Sequence, residues 1–188
     1  MEHAMEERSI NLNGIRVAIL VANGFEQVEL VKPREALEKA GAKTVIISPE
    51  KKVQGWNHME KGDVFTVDVL LNEASADDYD ALLLPGGVVN PDTLRLLPKA
   101  VSFVEEINRK NKPIAAICHG PWLLINANAV KGRQLTSWAS LKTDLINAGA
   151  TWVDEPTVND HNLVTSRNPN DIPQFNKAMI QLFQLNRK

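Results

Sequence analysis

The stretch PIAAICHGPWLL, residues 113–124, contains the single cysteine of this 188-residue chain. Its apolar start is typical of a buried β-strand, and Gly120-Pro121 favours a sharp turn that opens a helix. A strand, then Cys118, then a helix predicts a nucleophile elbow, although the G-x-S-x-G spelling of that motif is absent. The simpler alternative is that Cys118 is a small core residue, as most free cysteines are.

Two other stretches follow predicted strands in the same way. NGFE, residues 23–26, follows the β-branched run IRVAILVA, and PGG, residues 85–87, follows YDALLL. Strands that alternate with helices predict an α/β sandwich built on a mainly parallel sheet, and ligands bind beyond the carboxyl ends of such strands. We therefore expect these two stretches and Cys118 to share one edge of the sheet.

The same patterns predict the surrounding elements. We expect a helix over residues 28–42 with a kink or early break at Pro33, and a hairpin or irregular excursion within residues 49–69. One helix is expected over residues 91–111 and a last helix over residues 172–185.

The composition is that of an ordinary soluble globular protein, with 44% apolar and 23% charged residues and a net charge of -2. The length favours a single domain over residues 14–188 behind a flexible tail of residues 1–13. Lys and Arg are scattered and no long apolar run is present, so neither a nucleic-acid nor a membrane partner is expected. A single cysteine and the lack of a signal peptide indicate a reducing, cytoplasmic location.

The chemistry proposed for Cys118 needs a thiolate, and a helix N-terminus favours one by lowering the thiol pKa. The amides of His119, Gly86 and Gly87 are candidates for binding an oxyanion. The His119 ring is predicted either as a base beside the thiol or as an imidazole at a helix start. Glu26 is predicted either as a carboxyl that faces Cys118 and titrates jointly with it, or as an exposed carboxylate at a helix start.

Neither a metal nor a cofactor is expected. The remaining histidines do not cluster at metal-ligand spacings, and the GxGxxG and P-loop patterns are absent. Trp122, one turn into the helix predicted after Cys118, is a candidate for the wall of a substrate pocket.

Several motifs, in this order along the chain, resemble the ThiJ/PfpI superfamily. They are NGFEQVEL, LLLPGG, AICHGPWLL, KGRQLTSW, INAGATWVDEPTV and LVTSRNPNDIPQF. This group contains PfpI-type intracellular peptidases, bacterial general stress proteins and the Parkinsonism-associated protein deglycase. The resemblance implies a flavodoxin-like three-layer sandwich, related to class I glutamine amidotransferases, in a homodimer or higher homo-oligomer.

By this resemblance Cys118 is the nucleophile, Glu26 is the carboxyl hydrogen-bonded to it, and His119 is the histidine of the peptidases. The acidic third member of the peptidase triad comes from a neighbouring subunit in that family, and Asp92 lies near its place in the sequence. A glutamine amidotransferase activity is not expected, because the later His161 lacks the His-x-Glu spacing that this activity needs.

Three functions follow from a reactive Cys118. The first is a stress-response cysteine hydrolase that acts on small aldehydes or repairs glyoxal and methylglyoxal adducts of proteins, that is, a deglycase. The second is an ATP-independent intracellular peptidase that acts on unfolded proteins. The third is a non-enzymatic sensor of oxidative stress or a holdase chaperone, in which the thiol is oxidised to a sulfinate. We rank them in this order.

Overall fold

Strands and helices alternate along the chain in the computed structural model, which describes residues 9–186. The strands are β1 (Arg16–Leu20), β2 (Phe25–Glu26), β3 (Lys43–Ser48), β4 (Lys52–Asn57), β5 (Glu60–Thr66), β6 (Val69–Leu70), β7 (Ala81–Leu84), β8 (Ile114–Ile117), β9 (Gln134–Leu135), β10 (Thr151–Trp152), β11 (Thr157–Asp160) and β12 (Leu163–Ser166). The α-helices are α1 (Gln27–Lys39), α2 (Val89–Leu94), α3 (Pro98–Arg109), α4 (Pro121–Asn126), α5 (Lys142–Asn147) and α6 (Ile172–Leu185).

The central sheet has seven strands in the order β11-β12-β8-β7-β1-β3-β6. Every neighbouring pair is parallel except β11 and β12, which are antiparallel. This mainly parallel sheet confirms the α/β architecture expected from the alternation of strands and helices.

Successive residues of the central strands enter two different cores, because side chains alternate across a strand. Val17 and Ile19 of β1 pack with α1 and α6 on one face, whereas Ala18 and Leu20 pack with α3, α4 and α5 on the other. Helices therefore cover both faces of the sheet, which explains why these strands are apolar along their whole length. The arrangement is a flavodoxin-like three-layer sandwich.

The helix expected over residues 91–111 is two helices, α2 and α3, and the expectation of one helix is wrong. Pro98 begins α3, and Leu97 before it is extended, with φ -92° and ψ 111°. A proline disfavours the helical conformation of the residue that precedes it, so the break falls at this point. In contrast, α1 continues past Pro33 to Lys39 without an early break.

The flexible tail expected over residues 1–13 does not extend to Leu12. Leu12 is fully buried, and its amide donates a hydrogen bond to the Ala40 carbonyl at 2.8 Å. Residues 1–8 of the predicted tail lie outside the described residues. Within residues 9–186, none of the helices is long and apolar enough to cross a bilayer.

The carboxyl ends of β1, β7 and β8 are adjacent, because these strands are neighbours in the sheet. The loops after β1 and β7 are tied together by the Glu26 amide, which donates to the Gly86 carbonyl at 3.3 Å. Strands β4 and β5 form the hairpin expected within residues 49–69, and β4 also pairs with β2 in a separate three-stranded sheet. This β4–β5 hairpin stands beside the edge at which the three loops meet.

Candidate active site

Cys118 occupies a strained turn directly after β8. Its φ is +63°, in the left-handed region that non-glycine residues seldom adopt, and such strain costs about 1–2 kcal/mol. Its amide donates to the Ser166 carbonyl at 3.0 Å, and its carbonyl accepts from the Trp138 amide at 2.9 Å. With α4 beginning at Pro121, this is the elbow geometry that the sequence predicts.

The carboxyl beside the thiol belongs to Glu29. Glu29 lies in the first turn of α1, is fully buried and lies beside the Cys118 thiol, close enough for each group to shift the pKa of the other. Its Oε1 accepts a hydrogen bond from the Gly86 amide at 3.1 Å. The expectation that Glu26 is hydrogen-bonded to Cys118 is wrong, because Glu26 precedes α1 and is turned to another partner.

That partner is His58, at the tip of the β4–β5 hairpin. Both carboxylate oxygens of Glu26 lie 3.3 Å from the His58 amide, and His58 Nδ1 lies 3.7 Å from Oε1. His58 has a φ of +57°, so the carboxylate holds a strained backbone position at the hairpin tip. Glu26 and His58 therefore form a second acid–base pair, which lines the same cavity as Cys118.

A signal for Glu29 is present in the sequence, in the spacing of the first helix. Glu29, Pro33 and Leu37 recur four residues apart and share the buried face of α1. An acidic residue on such a face is rare unless its charge is paired or neutralised. Helical phase, rather than distance from the strand end, identifies the carboxyl that reaches the thiol.

Burial raises the pKa of Glu29 to about 8, and the negative charge of Glu26 adds to the rise. Hydrogen bonds from the Gly86 amide, the Cys118 thiol and the Gly87 amide lower the pKa of Glu29 in part. At pH 7 Glu29 therefore retains its proton and is a hydrogen-bond donor.

The pKa of the Cys118 thiol is raised, first by burial and then by the negative charge of Glu29 when that group is ionised. The amides of Gly87 and His119 donate to the sulfur and oppose the rise. The lowering expected from a helix N-terminus is wrong, because α4 has only 6 residues and begins beyond Cys118, while the thiol itself is buried.

The His119 ring lies next to the thiol, with Nδ1 3.3 Å from Cys118 Sγ. Trp138 stacks on the ring at 5.8 Å between centroids, and Trp122 packs against it edge-on at 5.5 Å. Burial lowers the pKa of His119, so the ring is neutral at pH 7. In the tautomer with the proton on Nε2, Nδ1 can accept the thiol proton.

Trp122 packs against the His119 ring but is not among the side chains that line the cavity. Its Nε1 donates to an Asp144 carboxylate oxygen at 2.9 Å, and the Arg95 guanidinium lies 5.1 Å from its ring centroid. The expectation that Trp122 forms the pocket wall is wrong, because Trp138 takes that position.

The Pro-Gly-Gly turn divides its amides between the acid and the thiol. The Gly86 amide donates its hydrogen bond to Glu29, so it is not available to an oxyanion. The Gly87 amide lowers the pKa of both Glu29 and Cys118 by hydrogen bonding. A Cβ at Gly86 would lie 2.8 Å from the Cys118 Cβ, and Gly87 has a φ of +77°, so both positions require glycine. The amides of Gly87 and His119 stay the predicted oxyanion donors.

Asp92 lies on an exposed part of α2 and is not in the cavity lining. One chain therefore does not bring an acid from this position to His119. A triad completed by Asp92 of another subunit stays a prediction.

A cavity of about 730 Å³ opens onto the thiol. Its walls come from the β4–β5 hairpin, from the Pro-Gly-Gly turn with the start of α2, and from the segments around Trp138 and Pro169. The Cys118 thiol, the buried acid and the neutral imidazole thus meet at one cavity, an arrangement that suits covalent catalysis.

The sequence model of the DJ-1/PfpI family matches residues 15–182. The chain belongs to the DJ-1/PfpI family. This DJ-1/PfpI chain is 43% identical over 171 residues to an uncharacterized protein of Staphylococcus aureus, covering 90% of this chain and 98% of that one. It is 39% identical over 171 residues, with the same coverage, to the Bacillus subtilis protein named "Putative cysteine protease YraA".

A solved structure from Anabaena variabilis, a two-domain protein with DJ-1/ThiJ/PfpI-like and ferritin-like domains, has the same fold. The TM-score is 0.84 at 36% identity, over 89% of this chain and 47% of that one. This DJ-1/PfpI chain thus spans about half of the Anabaena protein. The resemblance inferred from the motifs is confirmed.

Proposed function

We propose that the protein is a cysteine-dependent hydrolase that converts 2-oxoaldehydes such as methylglyoxal, free or as early protein adducts, to 2-hydroxy acids. The observation that carries this proposal is the full burial of Glu29 beside Cys118, which raises the pKa of this carboxyl to about 8. A neutral carboxylic acid beside a nucleophile can donate and recover a proton at the reacting carbonyl. A cytoplasmic location and assembly into homo-oligomers belong to the same proposal.

The first step forms a hemithioacetal. His119 Nδ1 takes the thiol proton, and Cys118 Sγ forms a bond to the aldehyde carbon. The π electrons of the carbonyl move to its oxygen, which takes the proton of Glu29. The amides of Gly87 and His119 stabilise the charge that develops during this step.

The second step moves hydrogen between the two carbons of the substrate. Ionised Glu29 removes the hydrogen of the former aldehyde carbon while protonated His119 protonates the neighbouring carbonyl oxygen, giving an enediol. Glu29 returns its proton to the second carbon, and His119 takes the proton of the hydroxyl on the carbon that is bonded to sulfur. This leaves a thioester of Cys118. Water then adds to the thioester and passes a proton to ionised Glu29. The carbon–sulfur bond breaks and His119 returns its proton to the sulfur, which releases the 2-hydroxy acid and restores the thiol, the protonated Glu29 and the neutral His119. Water is the only co-reactant.

Lactate formation from methylglyoxal tests this mechanism. We expect turnover by the native protein, none by Cys118→Ser, and a kcat lower by about 100-fold or more in Glu29→Gln, the usual contribution of a general acid–base group. Glu35→Gln, a change at an exposed position of the same helix, is the matched control and keeps the native kcat. Retained turnover in Cys118→Ser or Glu29→Gln contradicts the mechanism. Selective oxidation of the thiol by peroxide, with no turnover, supports a sensor instead.

A peptidase is the second candidate, and the relative named as a cysteine protease favours it. His119 lies beside the thiol, but the acidic third member has to come from another subunit because Asp92 is outside the cavity. We expect that, if the protein cleaves fluorescent casein, Asp92→Asn abolishes cleavage and leaves lactate formation unchanged. Cleavage that survives in Asp92→Asn excludes the triad that contains this residue.

A further inference from the structure

Exposed apolar side chains are concentrated around the cavity that opens onto Cys118. In the part of the chain that the structure describes, nine large hydrophobic side chains are exposed: Ile10, Met59, Val64, Val88, Val89, Leu96, Trp138, Ile146 and Leu185. Four of them, Met59, Val88, Val89 and Trp138, line this one cavity. Single exposed apolar residues are ordinary, whereas a cluster rimming a reactive group indicates a binding surface.

The walls of the cavity and its floor differ in chemistry. At the floor, Glu29 and His119 lie beside the thiol and can exchange protons with it. The walls are apolar: Trp56 and Met59 of the β4–β5 hairpin form one part, and Val89 and Trp138 form another. The volume of about 730 Å³ is within the range of roughly 300–1,000 Å³ that takes a drug-sized ligand. A three-carbon aldehyde leaves most of this space and most of these walls unused.

The negative charge at the cavity disfavours the binding of a substrate that has an acidic group. The Glu26 carboxyl lines the cavity, and its negative charge contributes to the rise in the pKa of Glu29. A second anion placed beside this carboxylate would be repelled by it.

We propose that the cavity takes a carbonyl compound in which a bulky apolar group, aromatic or branched, is attached to the carbon next to the one that reacts with Cys118, and that the β4–β5 hairpin selects for that group. The apolar group lies against Met59, Val89 and Trp138 while the carbonyl faces Cys118. This inference rests on the proposed function for the identity of the reacting group, but the apolar preference is a property of the cavity and is measured without turnover.

The test compares two alkylating reagents that differ only in an apolar group. Iodoacetamide and N-benzyliodoacetamide react in the same way: Sγ of Cys118 bonds to the methylene carbon, iodide leaves, and the thiol proton goes to solvent. Their rate constants with Cys118 are divided by those with glutathione, which has no cavity. We expect N-benzyliodoacetamide to be preferred by about tenfold or more, as burial of a phenyl group predicts.

Val89→Ser and Val64→Ser form a matched pair, because both valines are 57% exposed and only Val89 lines the cavity. We expect Val89→Ser to reduce the preference at least about threefold, and Met59→Ser, at the hairpin tip, to do the same. Val64→Ser, on the same hairpin as Met59, keeps the native preference and the native rate with iodoacetamide. Equal ratios for the two reagents, or equal losses in Val64→Ser and Val89→Ser, overturn the proposal.

Light scattering on the same samples tests a second copy of the chain as the occupant of the cavity. If the cavity is covered by another subunit, both reagents slow as the protein concentration rises, and this result also overturns the proposal. Failure of the proposed function has a different signature. If the protein prefers the benzyl reagent but forms no lactate, the apolar cavity is supported and the proposed hydrolase is contradicted. If it forms lactate without this preference, the hydrolase is supported and the apolar cavity is contradicted.

Discussion

Replacement of Glu29 by glutamine isolates the energetic consequence of the buried acid. The folded protein raises the pKa of this group from 4.5 to about 8. The rise corresponds to about 5 kcal/mol, at roughly 1.4 kcal/mol per pKa unit. Because the folded state holds the proton more tightly than the unfolded state, the stabilising effect is complete below pH 4.5 and is lost as the pH rises through 8.

Glutamine keeps the shape of the protonated acid and does not titrate. The free energy of unfolding of Glu29→Gln therefore lacks this dependence on pH. We expect the difference in unfolding free energy between Glu29→Gln and the native protein to shift by about 3–4 kcal/mol in favour of the variant between pH 5 and pH 8. Urea denaturation at the two pH values, with Glu35→Gln as the control, measures the shift. A shift below about 1 kcal/mol would mean that Glu29 titrates as an ordinary carboxyl and is ionised at pH 7, which would contradict its proposed role as an acid.

Three further changes test the turns and the ion pair that hold the site, each by urea denaturation. Cys118→Gly should be more stable than Cys118→Ala by about 1 kcal/mol, because glycine relieves the strain at φ +63°; equal stabilities contradict a strained elbow. Gly87→Ala should lose about 2 kcal/mol or more, because its φ is +77° and a Cβ would meet neighbouring backbone. Arg167→Ala should lose about 3 kcal/mol, since it removes the hydrogen-bonded partner of the buried Asp171; a loss below about 1 kcal/mol would show that solvent replaces the arginine.

The order of elements and the position of the elbow are predictable because both depend on neighbours along the chain. The apolar run before Cys118 and the glycine and proline after it specify a strand, a turn and a helix with no information from elsewhere. Pro98 shows the same locality. Its effect on Leu97 follows from the dipeptide alone, and the break between α2 and α3 could have been inferred from it.

The identity of the acid is a matter of helical phase. Glu26 and Glu29 lie three positions apart, and both follow β1 closely enough to reach the edge of the sheet. Only the start of α1 at Gln27 turns one carboxyl inward and leaves the other to the hairpin. A shift of the helix start would exchange their environments, so proximity in sequence does not distinguish them.

The sandwich, the edge at which its loops meet and the candidate nucleophile are predictable from the sequence, because each follows from local periodicity and turn chemistry. Packing between distant segments decides which carboxyl lies beside the thiol, how His119 is held between Trp122 and Trp138, and what the hairpin adds to the cavity. It also reversed the expected direction of the thiol pKa. Burial, unlike a helix terminus, depends on every segment packed around the group, and no stretch of sequence contains that information.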